Sequence, residues 1–436
     1  MNERRVIISG MGCITPFGVG VDSFWTNLVS GNTAAKLIDT FDVSGLPTRF
    51  AATVPLSDAE LNAGINDQKS LKTMSRAIKY AMISTQQAVN DSNLVTSGLD
   101  PYRFGVSLGA GGLGLWDLQY SNQMMQIVVD SIEEDEKLHL DFGKVWKNTL
   151  NNVHPLTPLK ALPNMAAAHI AIKYNARGHC QTISTACTSA AQAIGEAYRI
   201  IKNGISDVMI SGGSDSMINP NGLIAFSTLG VISKNNDEYR TAARPFDKRR
   251  DGFMIGEGAA VFILEDLAHC IERGGKPIAE IIGYASTCDA YRLTDEPREA
   301  WGATEAIKRV LQEAKIEAQN VDYINAHGTG TLMNDVGETN AIKNVFDKFA
   351  YKIPISSTKS MIGHLVAAAG AVELLACIQS MQTQTIHPTI NYQLPDPECD
   401  LNYVPNNSMK KSLNVVLSNS FGFGGQNACL LIKNYH

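Results

Sequence analysis

Cys187 stands where a short β-type run, Thr182-Ile183-Ser184-Thr185, meets an alanine-rich segment. From Thr188 onward, Ala190, Ala191, Ala193, Ile194, Ala197, Ile200 and Ile201 recur at helical spacing, and Gly204 supplies the stop. A sulfur at a helix start feels the positive end of the helix dipole, so this position is expected to favour the nucleophilic thiolate. Its neighbours Thr185, Ala186, Ser189 and Ala190 are small and leave room for a reacting group. Most cysteines are buried and inert; the junction and the small neighbours set this one apart.

Three further segments carry reactive or flexible groups at the ends of β-type runs. Asn325-Ala326-His327-Gly328-Thr329-Gly330-Thr331 follows VDYI and offers free amides and hydroxyls beside an imidazole. Lys359-Ser360-Met361-Ile362-Gly363-His364 follows ISS, and His364 opens a second alanine-rich helix. Ser418 to Asn427 reads SNSFGFGGQN, a glycine-rich turn that fits no phosphate-loop pattern. A lone histidine is more often a core or surface group than a catalyst, but these residues gather at element ends, where α/β folds build sites. A cysteine with two histidines permits two chemistries. A protease-like site would use one histidine as base and a third residue to orient it. A carbon–carbon-forming site would carry an acyl group on the cysteine and use both histidines as donors to an oxyanion or enolate. Spacing alone does not choose between them.

The elements that must position these groups alternate along the chain. Strands are expected at Val6 to Ser9, Phe104 to Leu108, Val208 to Gly213, Ala259 to Glu265, Ile278 to Ser286, Val321 to Asn325 and Ile355 to Ser357, with a closing pair at Val415 to Ser418 and Ala428 to Ile432. Helices are expected at Lys69 to Val89, Met165 to Lys173, Thr304 to Ala314, Asp335 to Phe346 and Val366 to Gln382. This alternation predicts an α/β fold with largely parallel sheets. The 436 residues suffice for two halves, with a boundary near Leu267 to Lys276. The polar stretch Trp116 to Leu162 reads as one or two surface helices inserted into the scaffold.

A net charge of −6 argues against general nucleic-acid binding, which needs a cationic surplus. The eight cysteines are scattered, with no CxxC pair or Cys/His ligand cluster, as in a reduced cytoplasmic protein without a metal. No apolar run reaches the roughly 20 residues needed to cross a bilayer, and the first apolar run is too short for a signal-peptide core. A soluble cytoplasmic protein without membrane contact is expected.

Together, TACTSAAQAIGEA around Cys187, NAHGTGT around His327, STKSMIGHLVAAAGAVE around Lys359 and His364, and NSFGFGG near the end resemble the β-ketoacyl-acyl carrier protein synthases of the Cys-His-His type. RPFDKRRDGFMIGEGA and VIISGMGCITPFG fit as well, so the resemblance runs from about Arg4 to Lys433. It implies a thiolase-like fold, five layers α-β-α-β-α from two pseudo-duplicated halves, here 1–267 and 275–436, with the insertion at 116–162. It also implies a decarboxylative condensation of an acyl-enzyme with malonyl-acyl carrier protein, in fatty-acid-like or type II polyketide or polyene elongation. Cys187 would hold the acyl chain, His327 and His364 would stabilise the enolate, and Lys359 would orient that site with Glu373 and Glu338 as charge partners. The backbone N–H groups of Cys187 and Phe423 would form the oxyanion hole; Phe423 and Phe421 lie at the family's gate, and Thr329 and Thr331 would contact the malonyl-pantetheine arm. No cofactor is implied beyond the carrier protein's own phosphopantetheine. The carrier would dock on Lys69, Lys72 and Lys234.

The chain departs from the family pattern in three places. Gly112 replaces a bulky residue that limits acyl length in many relatives, Gln426 stands where threonine is commoner, and the 116–162 stretch is long. A reshaped pocket for a specialised polyketide, polyene or aryl-primed chain is therefore expected. A homodimer is implied, with the active subunit of a ketosynthase/chain-length-factor heterodimer as the alternative. A silent partner subunit lacks the cysteine that is present here, and a thioester hydrolase has no use for paired histidines with a lysine.

Overall fold

A computed structural model describes residues 4–111, 118–133 and 139–435. The N-terminal part builds β1 (Val6–Thr15), β2 (Phe104–Ala110), β3 (Cys180–Ile183), β4 (Val208–Asp215) and β5 (Gly258–Asp266). They lie side by side in the order β3-β2-β4-β5-β1. The C-terminal part builds β6 (Ala279–Cys288), β7 (Tyr323–Asn325), β8 (Ile355–Ser356), β9 (Val415–Gly422) and β10 (Gln426–Asn434), in the order β8-β7-β9-β10-β6. Both halves thus run third, second, fourth, fifth, first. A common topology is present although no direct sequence repeat is visible. The halves join edge to edge, β1 antiparallel to β6 with Val6 opposite Ile281.

The N-terminal half includes the helices α1 (Arg76–Asp91), α2 (Leu118–Val129), α3 (Phe142–Asn152), α4 (Met165–Tyr174), α5 (Ser189–Lys202) and α6 (Pro220–Leu229). The C-terminal half adds α7 (Trp301–Ala314), α8 (Leu332–Phe346) and α9 (Ala369–Thr383). α1 and α4 cover one outer face, α7 and α8 the other, and α5 packs on α9 between the sheets. This is the five-layered thiolase-like fold. α9 is buried from Ala369 to Met381, as its apolar sequence on all sides requires. Small residues let the middle layer close. A Cβ on Gly370 of α9 would lie 2.9 Å from the Ala191 nitrogen of α5, and one on Gly213 of β4 would lie 2.5 Å from Ala190 Cβ.

Each central helix begins in the same way. Ala186 has φ +50° and Val366 φ +46°, each in the left-handed region. A 3-10 turn follows each, Ala186–Thr188 and Val366–Ala368, before α5 and α9 begin. The second helix therefore starts later than the expected Val366. Cys187 and Ala367 occupy matching places in the two halves.

Two further expectations change. The sheet is mixed: β2 runs parallel to β3 and β4, and β7 to β8 and β9, while the other pairs are antiparallel. The turn Phe423-Gly424-Gly425 between β9 and β10 is too short for a crossover and forces a hairpin. The expected helix Lys69 to Val89 breaks at Met74 and Ser75, leaving a 3-10 turn, Ser70–Thr73, before α1. There the Arg76 guanidinium turns back to the Val54 and Leu56 carbonyls. The inserted stretch holds α2 and α3 with a short strand pair between them, and Phe142, Trp146 and Leu150 stand exposed along one side of α3. Among the described residues no helix is long and apolar enough to cross a membrane.

Candidate active site

The turn after β3 is pinned by its own side chains. The Thr185 N–H donates to Ser189 Oγ at 2.8 Å, and Ser189 Oγ donates to the Ala186 carbonyl at 2.7 Å. This holds Ala186 in a conformation disfavoured for residues with a Cβ and presents Cys187 at the entrance of α5. The sulfur is almost fully buried. Burial pushes its thiol up to about 12, against a downward pull from the Lys359 charge and the Phe423 N–H. The expected preference for thiolate is thus reversed, because dehydration of the sulfur outweighs the helix terminus.

His364 is fixed through its backbone, which donates to the Met254 carbonyl at 2.7 Å and accepts from Gly256 N–H at 2.9 Å. Its Nδ1 accepts the Val366 N–H at 3.2 Å, so the ring proton resides on Nε2, which lies 3.0 Å from Cys187 Sγ. His327 is held from below by Glu338, whose carboxylate accepts the N–H groups of His327 and Gly328 at 2.9 and 2.8 Å. Asn419 Nδ2 donates to the same carboxylate at 3.1 Å. Lys359 Nζ donates to the His327 carbonyl at 2.5 Å, lies 3.2 Å from His327 Nδ1 and pairs with Glu373. The two imidazoles meet edge-on with centroids 5.3 Å apart. Burial, then the Lys359 charge, holds both well below the ordinary histidine range; His364 adds to the effect on His327. Each ring is therefore neutral, with its Nδ1 facing a donor and its N–H directed into the site.

Donor atoms of Cys187, His327 and His364 all lie within 4.8 Å of one another, a spacing compatible with a metal ion. A ligating imidazole needs a lone pair on the nitrogen facing the metal and an acceptor behind the other nitrogen. Here the Val366 N–H and the Lys359 ammonium impose the reverse, so this donor set does not fit a metal. It fits an electron-rich oxygen.

The three side chains line a cavity of about 600 Å³. Phe421 lies against His327 at a centroid distance of 6.0 Å, and part-buried Phe423 lines the same space. Thr329 and Thr331, their hydroxyls 2.9 Å apart, line it as well. A Cys-His-His cluster lining such a cavity, on a fold of two halves with common topology, marks a candidate catalytic centre. Residues 3–269 match the family model "Beta-ketoacyl synthase, N-terminal domain", and residues 278–393 match "Beta-ketoacyl synthase, C-terminal domain".

The chain belongs to the β-ketoacyl synthase family. It is 39% identical over 435 residues to the 3-oxoacyl-[acyl-carrier-protein] synthase 2 of Synechocystis sp., covering 100% of this chain and 99% of that protein. Among solved structures, it resembles a ketosynthase bound to a hexaketide, in complex with its type II PKS acyl-carrier protein, with TM-score 0.85, 32% identity and full coverage of both chains. It also resembles the ishigamide ketosynthase/chain length factor, with TM-score 0.87, 28% identity and full coverage of both. The protein is an acyltransferase of the ketosynthase type.

Against the family pattern, the structure brings Cys187, His327, His364 and Lys359 together but separates the two acids. Glu373 pairs directly with Lys359, whereas Glu338 spends its hydrogen bonds on the His327 loop and on Asn419. Glu338 anchors the His327 loop without a hydrogen bond to Lys359, whose charge still acts on its carboxyl. Lys234 is exposed beside the mouth, its N–H donating at 3.3 Å to Asp251, which lines the cavity. Lys69 and Lys72 are exposed at the 3-10 turn Ser70–Thr73, whose Leu71 lines a different cavity. Gly112 lies outside the described residues. Sequence reasoning missed Val366 and Asn419. The first acts through its backbone and the second carries only a hydrogen bond.

Proposed function

We propose that this ketosynthase catalyses the decarboxylative condensation of an acyl group on Cys187 with malonyl-acyl carrier protein. The products are β-ketoacyl-carrier protein, CO₂ and free carrier protein. The observation that carries this reading is the pair of neutral rings with their N–H groups aimed at one point, His364 Nε2 being 3.0 Å from the sulfur. Two donors beside the sulfur, with each ring's lone pair turned away from it, suit an enolate oxygen and disfavour hydrolysis, which needs a base for its water. Lys359 orients His327, and the N–H groups of Cys187 and Phe423 form the oxyanion hole, with Phe421 behind the gating ring of Phe423. Thr329 and Thr331 receive the pantetheine arm. The N-terminal half, 1–267, supplies the nucleophile, and the C-terminal half, 275–436, supplies the two histidines and the lysine. Substrates arrive on phosphopantetheine, with no further cofactor, in the cytoplasm.

Cys187→Gln should abolish acylation, seen by intact mass, yet retain release of CO₂ from malonyl-carrier protein. His327→Ala and His364→Ala should each lose that release. If decarboxylation survives both histidine changes, the roles assigned to the rings are wrong.

Gly112, Gln426 and the long 116–162 stretch support a specialised polyketide, polyene or aryl-primed chain as the product class. The protein assembles as a dimer through the outer edge of β3, which has no strand partner among the described residues. The second reading is the active subunit of a heterodimer, favoured by the full-length likeness to a ketosynthase/chain length factor structure. Light scattering of the protein expressed alone separates the two.

A further inference from the structure

The condensation consumes one proton. When the enolate carbon attacks the acyl-Cys187 thioester, the new C–C bond forms, the C–S bond breaks, and the sulfur leaves as a thiolate. With its thiol held so strongly in the protonated form, that thiolate must take up a proton before the next cycle. Acylation, by contrast, is neutral overall: the thiol proton of Cys187 ends on the departing carrier thiol. Neither ring is free to act as a reservoir. His364 keeps its Nδ1 on the Val366 N–H, His327 keeps its Nδ1 by Lys359, and Lys359 is committed to Glu373.

Among the described residues, Asp251, Asp295 and Glu296 are the further titratable groups lining the cavity that holds Cys187, and no lysine or arginine lines it. Asp251 accepts the Lys234 N–H, and Asp295 pairs with Arg292. Glu296 is only partly exposed. Its carboxyl lies over Gly337 on α8, where an added Cβ would meet Glu296 Oε2 at 3.2 Å. A glycine inside a helix is disfavoured relative to alanine, and here the missing side chain lets the carboxyl lie close against α8. We propose that Glu296 is the proton store of the chamber, supplying the proton that Cys187 takes up in condensation and refilling from solvent at the mouth.

The surrounding charges agree with that role. Dehydration comes first, and Asp289 on the same loop with Glu338 and Asp335 on α8 add repulsion, bringing Glu296 up to about 8. Asp335 is paired with Arg250, and Arg298 of the Glu296 loop is turned to Glu398. Across the cavity stand neutral His327 and His364 and the thiol of Cys187. Glu296 is thus protonated at neutral pH and empties as the pH passes 8.

This inference rests on the condensation proposed above, and the two half-reactions test it separately. Glu296→Gln should acylate Cys187 at the wild-type rate, measured by intact mass. Its single-turnover condensation rate should fall about tenfold or more at pH 7. The wild-type condensation rate should decline above pH 8, and the variant should lack that alkaline limb. Glu296→Asp should restore part of the rate and the limb. An unchanged alkaline limb in Glu296→Gln, or acylation slowed as much as condensation, overturns the proposal. If wild-type Cys187 is never acylated, the condensation reading fails first.

Discussion

Cys187 shows burial overriding a favourable helix terminus. The helix start, the Phe423 N–H and the nearby ammonium all favour a thiolate, yet the water lost around the sulfur counts for more, and the thiol is pushed up to about 12. The sign is clear: a raised thiol pKa means the neutral form dominates at every physiological pH. Iodoacetamide should therefore alkylate Cys187 at pH 7 far more slowly than a free cysteine, whose pKa is about 8.5. Its rate should keep rising tenfold per pH unit beyond pH 9, followed by mass spectrometry of the Cys187 peptide. A plateau near pH 7 would mean that the helix terminus dominates after all. The same logic makes acylation a matter of binding. The sulfur becomes reactive once a carrier-bound thioester fills the cavity and the N–H groups of Cys187 and Phe423 have an oxygen to receive.

At the scale of elements, the site exists because two helix starts and two loops are forced to one point. α5 brings Cys187, α9 is preceded by His364 and Val366, and the His327 loop is tied to α8 through Glu338. Gly213 is the clearest control on this convergence. Its absent Cβ lets Ala190 of α5 and the Ala367 carbonyl before α9 both approach β4, at 2.5 and 2.8 Å from where that atom would stand. Gly213→Val should push both helix starts outward, costing about 1–3 kcal/mol as overpacking. A lowered Tm together with loss of Cys187 acylation is expected. Gly98→Ala, with nothing within 4 Å of the added carbon, should leave both unchanged. Equal behaviour of the two variants would show that the middle layer tolerates widening.

The whole molecule carries a net charge of −6, so an acidic carrier protein must be met by local positive charge. Lys234 stands at the mouth, while Lys69 and Lys72 stand on a separate exposed turn. Because surface charges act mainly on encounter, the double reversal Lys72→Glu/Lys234→Glu should raise the carrier-protein KM several-fold with kcat nearly unchanged. The effect should shrink as salt is added. Single reversals should show Lys234 to be the stronger contributor, since it alone of the three adjoins the cavity. No change in KM at low salt would remove these lysines from the docking surface.

Much of this architecture was readable from the chain itself. Strand and helix periodicity located most elements, and the segments around Cys187, His327, Lys359 and His364 were identifiable because each joins a reactive residue to glycine or alanine at an element end. Such features are local, and local chemistry is written in consecutive residues. Three matters were decided only by tertiary structure. One was the mixed sheet, set by hairpin closure and by the edge pairing of β1 with β6. Another was the protonation state of the site, because burial and the Lys359 charge come from residues far apart in sequence. The last was the direction of each imidazole N–H, imposed on His364 by a backbone amide and on His327 by a distant ammonium. Charge, dehydration and hydrogen-bond direction depend on what surrounds a group in space, and spacing along a chain does not carry that information.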